Sequence, residues 1–302
     1  MQIFSGSSNQ ELAAKIAKIA RQKLGQVMIE CFANGETKLR VTEPKVEGRV
    51  AIVQSMSAPT NEMLVEFCLL ADALRRAGAR EIVVVVPWMG YSKQDKVFRI
   101  GEPLSAKVAA QILQTAKPDR IITFDLHNRA TLGFFDVPVV ELSAKPLFVE
   151  YFAKKKTTKT VVVAPDEGAV KASAEFAREL GVPIVYLDKR RDLASGQVTV
   201  ARASGEVAGA EAIITDDMIV TGETAMKVAQ YLKAHGAIRV AVGATHDLQV
   251  PGVRERLKQS EIDEIVVTDT VEEQDARREK IDARGKLKVL SVAQMIAGEL
   301  TR

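Results

Sequence analysis

Short apolar runs alternate with longer helical stretches along most of the chain. The apolar runs are β-rich and lack polar alternation, which predicts parallel strands buried on both faces of a sheet. The stretches of roughly 10 to 15 residues between them predict helices. We expect these helices at Asn9–Leu24, Asn61–Ala77, Pro103–Ala116, Ala144–Ala153, Val170–Leu180, Thr224–Ala234 and Val253–Gln259. The pattern predicts an α/β fold with doubly wound parallel sheets.

The order of segments in the first half of the chain recurs in the second half. Similar segments pair as Val50–Val53 with Ala212–Asp216, Leu74–Ala79 with Leu232–Ala237, and Asp119–Asp125 with Asp263–Asp269. Several pairs in the same order indicate a duplicated domain. We expect one domain at residues 1–143 and a second at residues 144–302, joined near Val140–Leu147, with the last helix packing back on the first domain.

Composition narrows the class of protein. The 302 residues suffice for two domains with well-buried cores, and 27% charged with 47% apolar residues is typical of globular proteins. A net charge of +3 is too small to indicate a nucleic-acid partner. No apolar run approaches the roughly 18 residues of a membrane span, and the first residues lack a signal-peptide pattern. We therefore expect a cytoplasmic protein, and Cys31 and Cys68 have no disulfide or zinc spacing.

The segment Ile213–Thr224 carries the most informative chemistry. Its apolar run predicts a buried strand that ends in two adjacent acids, Asp216 and Asp217. The loop Val220–Thr224 then offers backbone N–H groups, hydroxyls and the positive N-terminus of a helix to an anion. A ligand with vicinal hydroxyls at one end and a phosphate at the other fits this pattern, and ribose 5-phosphate is such a ligand. The alternative is a capped turn between a strand and a helix, with the acids as turn residues.

Three other segments follow predicted strands. Trp88–Lys107 is a long polar segment whose cations suit a polyphosphate, and its length favours a functional loop over a solvated connector. In Asp125–Asn128, His127 is either structural or a ligand. Pro165–Gly168 places Asp166 at the start of a helix, as a hard oxygen ligand for Mg²⁺ or as a helix cap.

Two further segments allow alternative interpretations. Asp188–Asp192 carries three consecutive cations after a strand, either as a solvated turn or as a clamp that neutralises charge during phosphoryl-type transfer. Cys31–Glu36 contains the Asn-Gly pair typical of a hairpin. Its polar groups and Phe32 would alternatively contact a base or a ribose.

Together these segments resemble the ribose-phosphate pyrophosphokinase family. The resemblance runs nearly from end to end and implies two duplicated doubly wound parallel-sheet domains of the phosphoribosyltransferase type. Its most specific segments, in chain order, are Phe32–Glu36, Tyr91–Lys107, Asp125–His127, Pro165–Asp166, Asp188–Arg191 and Asp216–Thr224.

The resemblance also implies a reaction and roles for individual residues. The reaction is transfer of pyrophosphate from ATP to the C1 hydroxyl of ribose 5-phosphate, with AMP leaving, Mg²⁺ as cofactor and a homohexamer built from dimers. The implied ATP-binding residues are Phe32, Asn34 and Glu36 from a neighbouring subunit, and Lys93, Gln94, Asp95 and Arg99. The implied Mg²⁺ ligands are His127 and Asp166, and the implied catalytic cations are Lys189 and Arg191. The implied ribose 5-phosphate ligands are Asp216, Asp217, Val220, Thr221, Gly222, Glu223 and Thr224.

Several positions depart from the family pattern. Val220 stands where relatives usually have Asp or Ser, and it removes a polar contact with the sugar. Glu223 stands where Gly, Ala or Thr is usual, and its carboxylate would repel a phosphate unless the side chain points to solvent. Lys93 replaces an Arg and gives up bidentate phosphate contact, and the usual Asn-containing continuation after Arg191 is missing. These departures lead to the hypothesis of a divergent paralogue with weaker affinity for ribose 5-phosphate or altered sugar specificity.

Three alternative functions are less well supported by the sequence. A catalytically weak regulatory paralogue would be expected to lose its cationic loop, whereas Lys189 and Arg191 are retained. A phosphoribosyltransferase is disfavoured by the two-domain length, by Phe32–Glu36 and by the Tyr91–Lys107 loop. Nothing positive indicates a non-enzymatic phosphate sensor.

Overall fold

The computed structural model describes residues 1–191, 198–272 and 285–302, and the side chains of residues 189–191 and 198–201 are outside this description. The chain divides into two compact units. Unit 1 contains residues 1–143, 269–272 and 291–302. Unit 2 contains residues 144–268 and the described residues 285–290.

Eight helices occur in the described parts of the chain. In chain order they are α1 Gln10–Ala20, α2 Thr60–Ala77, α3 Ser105–Thr115, α4 Lys145–Ala153, α5 Val170–Leu180, α6 Glu223–Ala234, α7 Val253–Gln259 and α8 Ala293–Leu300. A 3₁₀ turn covers Arg129–Phe134. None of these helices is long and apolar enough to cross a membrane.

Unit 1 is built on a parallel sheet with a separate hairpin. Its strands are β1 Gln2–Ser5, β2 Lys23–Leu24, β3 Val27–Cys31, β4 Thr37–Val41, β5 Gly48–Val53, β6 Ala79–Val86, β7 Arg120–Phe124 and β8 Val139–Leu142. The six-stranded sheet has the order β2-β1-β5-β6-β7-β8, with every neighbouring pair parallel. Strands β3 and β4 form an antiparallel hairpin. Runs such as Ile82–Val86 are fully buried because helices cover a sheet of this kind.

Unit 2 repeats this plan. Its strands are β9 Thr160–Ala164, β10 Ile184–Arg191, β11 Val198–Ala203, β12 Glu211–Ile219, β13 Arg239–Asp247, β14 Glu264–Thr268 and β15 Leu287–Leu290. The seven-stranded sheet has the order β11-β10-β9-β12-β13-β14-β15. All neighbours are parallel except β10 and β11, which form an antiparallel pair at one edge.

The two sheets share one strand order. The series β1-β5-β6-β7-β8 in unit 1 corresponds to β9-β12-β13-β14-β15 in unit 2, and in both the second strand of the series is followed by a helix and the third strand. This correspondence confirms the predicted duplication of doubly wound parallel sheets. In each unit the helix that follows the last strand belongs to the other unit: α4 follows β8 but belongs to unit 2, and α8 follows β15 but belongs to unit 1.

One helix prediction was too long. Helix α1 was expected to run to Leu24, but it ends at Ala20, where Arg21 adopts a left-handed backbone conformation. Lys23 and Leu24 then pair with β1 as an edge strand. The face of α1 formed by Leu12, Ala13, Ile16 and Ala17 is buried, which explains the helical pattern up to that point. The predictions for α5 and α7 were correct at both ends. Helices α2, α4 and α6 differ from the predictions by one residue at the start, and α3 is shorter by two residues at its start and one at its end.

Candidate active site

The two acids of the Ile213–Thr224 segment lie within a strand. Strand β12 continues past them to Ile219, and its register places Asp216 beside Ala244 and Ile219 beside Asp247 of β13. The expectation that the strand ends at the acids is therefore wrong, because β13 is equally long and pairs with the extension. Asp216 accepts a hydrogen bond of 2.9 Å from the backbone N–H of Asp217 through Oδ1.

Asp216 holds a proton unusually well. Its side chain reaches solvent on one side, but the surrounding protein removes enough hydration that burial is the largest cause of a pKa raised to about 7. The charge of Asp217, a side-chain hydrogen bond between the two acids and the charge of Asp166 also raise this pKa, whereas the backbone N–H of Asp217 lowers it. Two other carboxylates of unit 2 therefore act on Asp216, namely Asp217 beside it in β12 and Asp166 just after β9.

The loop after β12 presents the start of a helix. Gly222 adopts a left-handed conformation with φ +68° as the N-cap of α6 and provides no capping side chain, and the N–H of Glu223 has only a long contact of 3.5 Å with the hydroxyl oxygen of Thr221. The first N–H groups of a helix lack acceptors within the helix and carry its positive dipole end, so this loop can hold an anion. Thr221 and Thr224 are exposed beside these groups, whereas Val220 contributes no polar atom.

The carboxylate of Glu223 points along α6. Its Oε1 lies 2.7 Å from Nζ of Lys227, one turn further on, and the Glu223 side chain is 62% exposed. The hydrogen bond and charge of Lys227 lower the pKa of Glu223, and the charge of Arg256 lowers it further. The repulsion expected from Glu223 is thus reduced by two cations, and its side chain is exposed to solvent.

Asp166 follows β9 and closes the turn into α5. Its Oδ1 accepts a hydrogen bond of 3.1 Å from the backbone N–H of Ala169. This contact lies in the turn before α5, whose N-cap is Ala169 and which has no side-chain cap, so the helix-cap alternative for Asp166 is not observed. Asp166 also acts electrostatically on Asp216, because its charge raises the pKa of that carboxyl group.

In unit 1, hydrogen bonds join the polar loop after β6 to two other segments. Oε1 of Gln94 accepts a 2.6 Å hydrogen bond from the hydroxyl of Ser105 at the start of α3. Oδ2 of Asp95 accepts a 2.5 Å hydrogen bond from the amide of Asn128, next to His127. The structure therefore brings Asp95 and the Asp125–Asn128 segment together.

The cations of the same loop face solvent. Lys93 and Arg99 are exposed. Oε2 of Glu102 accepts hydrogen bonds of 3.0 Å from the backbone N–H groups of Phe98 and Arg99, which fixes the backbone beside Arg99. Exposed cations on a loop whose backbone is held by hydrogen bonds are suited to binding phosphate oxygens.

His127 is exposed in the segment that follows β7, and Glu141 of β8 contacts the backbone of the preceding residue, Leu126. Oε1 of Glu141 accepts a 3.0 Å hydrogen bond from the N–H of Leu126, and Oε2 lies 2.8 Å from Nε of Arg129. Burial raises the pKa of Glu141, although the Leu126 N–H and Arg129 lower it. The preceding Asp125 has φ +32°, so the chain turns sharply before the histidine.

Phe32–Glu36 forms the tip of the β3–β4 hairpin, as the Asn-Gly pair predicted. The backbone closes through Phe32 N–H to Glu36 O at 2.8 Å and Gly35 N–H to Phe32 O at 2.9 Å. Oδ1 of Asn34 accepts a 3.2 Å hydrogen bond from the N–H of Glu36. Phe32 is 50% exposed, and Nζ of Lys38 lies 5.9 Å from the centre of its ring, so the side chain is open to a stacking partner.

Lys189 and Arg191 lie at the end of β10, where side chains are outside the described part of the structure. Their predicted role as catalytic cations is therefore left as a prediction.

Two residues near these candidates were not predicted from the sequence. Glu141 has a visible signal, since it is the acid in an otherwise apolar strand, Val139–Leu142. Arg256 has none, because its place near the Val220–Thr224 loop depends on how α7 packs. Its Nη2 lies 3.4 Å from the carbonyl oxygen of Thr221.

Comparison with known proteins places the chain in a family. Residues 1–116 match the N-terminal domain of ribose phosphate pyrophosphokinase, and residues 197–302 match the phosphoribosyl synthetase-associated domain. A ribose-phosphate pyrophosphokinase of Ralstonia nicotianae is 38% identical over 303 aligned positions, which cover 100% of this chain and 94% of that protein. The chain belongs to the ribose-phosphate pyrophosphokinase family.

Other members of the ribose-phosphate pyrophosphokinase family agree with this assignment over nearly the whole chain. The ribose-phosphate pyrophosphokinase of Streptomyces coelicolor is 41% identical, covering 98% of this chain and 91% of that protein. The crystal structure of phosphoribosylpyrophosphate synthetase from Mycobacterium smegmatis superposes with a TM-score of 0.86 at 34% identity, covering 99% of this chain and 97% of that one.

Proposed function

We propose that the chain is a ribose-phosphate diphosphokinase, which transfers pyrophosphate from ATP to the C1 hydroxyl of ribose 5-phosphate and yields phosphoribosyl pyrophosphate and AMP. Full-length similarity to ribose-phosphate pyrophosphokinases carries this conclusion. The arrangement of β12, its two acids and the uncapped N-terminus of α6 supports it, because vicinal hydroxyls and a phosphate would each find a complementary group.

The sugar would bind in unit 2. Asp216 and Asp217 would accept hydrogen bonds from the ribose hydroxyls, and the backbone of the Val220–Thr224 loop would hold the 5-phosphate. Thr221 and Thr224 would add hydroxyl donors, whereas Val220 contributes only its backbone and Glu223 is turned toward Lys227. The absence of a polar side chain at Val220 supports the hypothesis that ribose 5-phosphate binds more weakly here or that sugar specificity is altered.

ATP would contact residues of unit 1. Lys93 and Arg99 would neutralise phosphate oxygens, while Gln94 and Asp95 shape the same loop through their bonds to Ser105 and Asn128. Phe32, Asn34 and Glu36 would hold the adenine and ribose from the hairpin of a neighbouring subunit, since an exposed aromatic ring is suited to stacking. From the similarity to the family, we also infer a cytoplasmic homohexamer built from dimers.

Mg²⁺ fits the donor groups that are present. Among the described residues, no group of three or more His, Cys, Asp and Glu side chains could hold a metal by itself. Mg²⁺ is usually held by one or two protein carboxylates together with substrate phosphates and water, so such a group is not required. Asp166 in unit 2 and His127 in unit 1 are the candidate ligands, and the mutual repulsion of Asp166 with Asp216 is a reason to expect a cation nearby. When bound, Mg²⁺ would neutralise charge on the phosphates of ATP.

The reaction forms a bond between the C1 hydroxyl oxygen and the β-phosphorus of ATP. The bond from that phosphorus to the oxygen shared with the α-phosphorus breaks, AMP leaves with this oxygen, and the hydroxyl proton is released. The protein would contribute orientation of the sugar and charge neutralisation, the latter through Lys189 and Arg191. No covalent intermediate with the protein is needed.

The proposed function is tested by AMP release from ATP and Mg²⁺, with and without ribose 5-phosphate, in the wild type and in Lys189→Ala. Sugar-dependent AMP that falls by at least about a hundredfold in the variant supports the proposal, because loss of a charge-stabilising donor commonly costs this much in kcat. No sugar-dependent AMP in the wild type would overturn it in favour of the regulatory paralogue or of another sugar phosphate as substrate. A KM for ribose 5-phosphate as low as that of the Streptomyces coelicolor relative would reject the weaker-affinity hypothesis.

A further inference from the structure

We propose that Arg256 is a further binding residue for the 5-phosphate of the sugar, and that it offsets the carboxylate of Glu223. This inference rests on the proposed function, since it concerns the same Val220–Thr224 loop. It starts from one contact, the 3.4 Å separation between Nη2 of Arg256 and the carbonyl oxygen of Thr221.

Helix α7 is held against this loop by packing. Val253 and Leu257, one turn apart, are its buried residues. A Cβ added to Gly222 would lie only 2.8 Å from Cδ2 of Leu257, so the loop and the helix are in close contact at this point. Arg256 precedes Leu257 and is exposed, which places its guanidinium at the rim of the loop.

The charges around the loop favour this role. Glu223 brings a negative charge to the first turn of α6, where a phosphate would bind, and Lys227 is engaged with it at 2.7 Å. Arg256 also acts on Glu223, because its charge lowers the pKa of that carboxyl. The charges of Glu223 and Lys227 cancel each other, so the charge of Arg256 makes the surroundings of the loop positive overall.

Arg256 has donors to spare for a phosphate. A guanidinium carries five N–H donors, and the Thr221 carbonyl accepts from one of its nitrogens at the long end of hydrogen-bond distance. The planar group matches two phosphate oxygens at once, and its side chain is anchored beside the backbone that would hold the same phosphate. The geometry therefore suits a residue that completes the phosphate site from α7.

Kinetics of Arg256→Ala test the proposal. We expect the KM for ribose 5-phosphate to rise about tenfold, as for loss of one exposed charge-assisted hydrogen bond, with kcat changed less than about twofold. The KM for ATP should stay the same. Arg256→Lys should recover part of the loss, because it keeps the charge without the planar fork. The KM of the wild type should rise with salt more steeply than that of Arg256→Ala.

A double-mutant cycle tests the link to Glu223. Glu223→Gln removes the carboxylate with little change in helix propensity. If Arg256 offsets this carboxylate, Arg256→Ala should raise the KM for ribose 5-phosphate less in the Glu223→Gln background than in the wild type. Equal effects in both backgrounds would overturn the offset.

Arg178→Ala is the matched control. Arg178 is an exposed arginine of the same unit in the last turn of α5, and helices that connect parallel strands end at the opposite edge of the sheet. If the enzyme shows sugar-dependent AMP release, but the KM for ribose 5-phosphate is the same in Arg256→Ala as in Arg178→Ala, the proposal for Arg256 is overturned. Absence of that release in the wild type would instead defeat the proposed function, so the two failures are distinguishable.

Discussion

At the scale of single residues, Asp216 links the candidate site to the stability of the fold. Its pKa is raised from 3.8 to about 7, mainly by burial and by the charge of Asp217. A carboxyl group with a raised pKa in the folded state binds its proton more tightly there than in the unfolded chain. The stability it contributes is therefore complete below its unfolded pKa and is lost as the pH rises through its folded pKa.

This sign leads to a prediction for Asp216→Asn. The variant has no carboxyl group to ionise, so its stability relative to the wild type should increase between about pH 4 and pH 7 and stay constant above that range. The measurement is the difference in Tm between the two proteins at a series of pH values. Glu223→Ala is the control, because Glu223 is exposed and its pKa is lowered, not raised. If the Tm of Asp216→Asn minus that of the wild type falls as the pH rises, the raised pKa of Asp216 is contradicted.

The chemical type of a residue at a given position is read from the sequence, but the direction in which its side chain points is not. Two adjacent acids after an apolar run indicated a site, because charged groups at the end of a buried strand require compensation. The sequence also placed Glu223 beside the anion loop, but its direction depends on a rotamer. The spacing of four residues to Lys227 permits the ion pair that turns Glu223 away, and only the structure shows that it forms. Arg256 was not predictable, since no sequence pattern relates α7 to Thr221.

At the scale of elements, the loop between β12 and α6 depends on a glycine. Gly222 has φ +68°, a left-handed conformation that costs an alanine about 1 kcal/mol. Its added Cβ would also lie 2.8 Å from Cδ2 of Leu257. We therefore expect Gly222→Ala to destabilise the protein by about 2–3 kcal/mol, as strain and overpacking combine, and to raise the KM for ribose 5-phosphate. Denaturant unfolding and steady-state kinetics measure the two effects.

Gly252→Ala separates the two causes. Gly252 is the N-cap of α7 with φ +78°, but an added Cβ would meet no atom within 4 Å. Gly252→Ala should therefore cost only the backbone term of about 1 kcal/mol. Equal losses of stability in the two variants would show that contact with Leu257 does not restrict the loop.

Elements were predictable where one periodicity dominated. The alternation of apolar runs and helical stretches was enough for the parallel sheets, because buried strands and amphipathic helices differ in period. The prediction from this alternation failed where pairing with a distant strand determines the conformation of a segment. Lys23 and Leu24 continue the helical pattern of α1 but pair with β1, and Asp216–Ile219 stays extended because β13 runs beside it. Neither partner is visible from local sequence.

At the scale of the whole molecule, the chain is a duplication with exchanged helices. Strands β8 and β15 are the last strands of corresponding series, yet α4 after β8 belongs to unit 2 and α8 after β15 belongs to unit 1. The amphipathic pattern of α8 alone predicts only a helix, and we expected this last helix to pack on the first domain. Within unit 1, α8 packs against α1, and its buried face consists of Ala293, Ile296, Ala297, Glu299 and Leu300.

The stability of unit 1 should therefore depend on residues near the end of the chain. Ile296 is 0% exposed, and Ile296→Ala should cost about 2–5 kcal/mol through lost burial and the cavity left behind. Hydrogen exchange of backbone amides should then accelerate in α1, at the far end of the sequence, more than in α5 of unit 2. Val289→Ala, in the neighbouring strand β15 of unit 2 and 41% exposed, is the control and should leave α1 protected. Faster exchange in α5, with exchange in α1 unchanged, would contradict the assignment of α8 to unit 1.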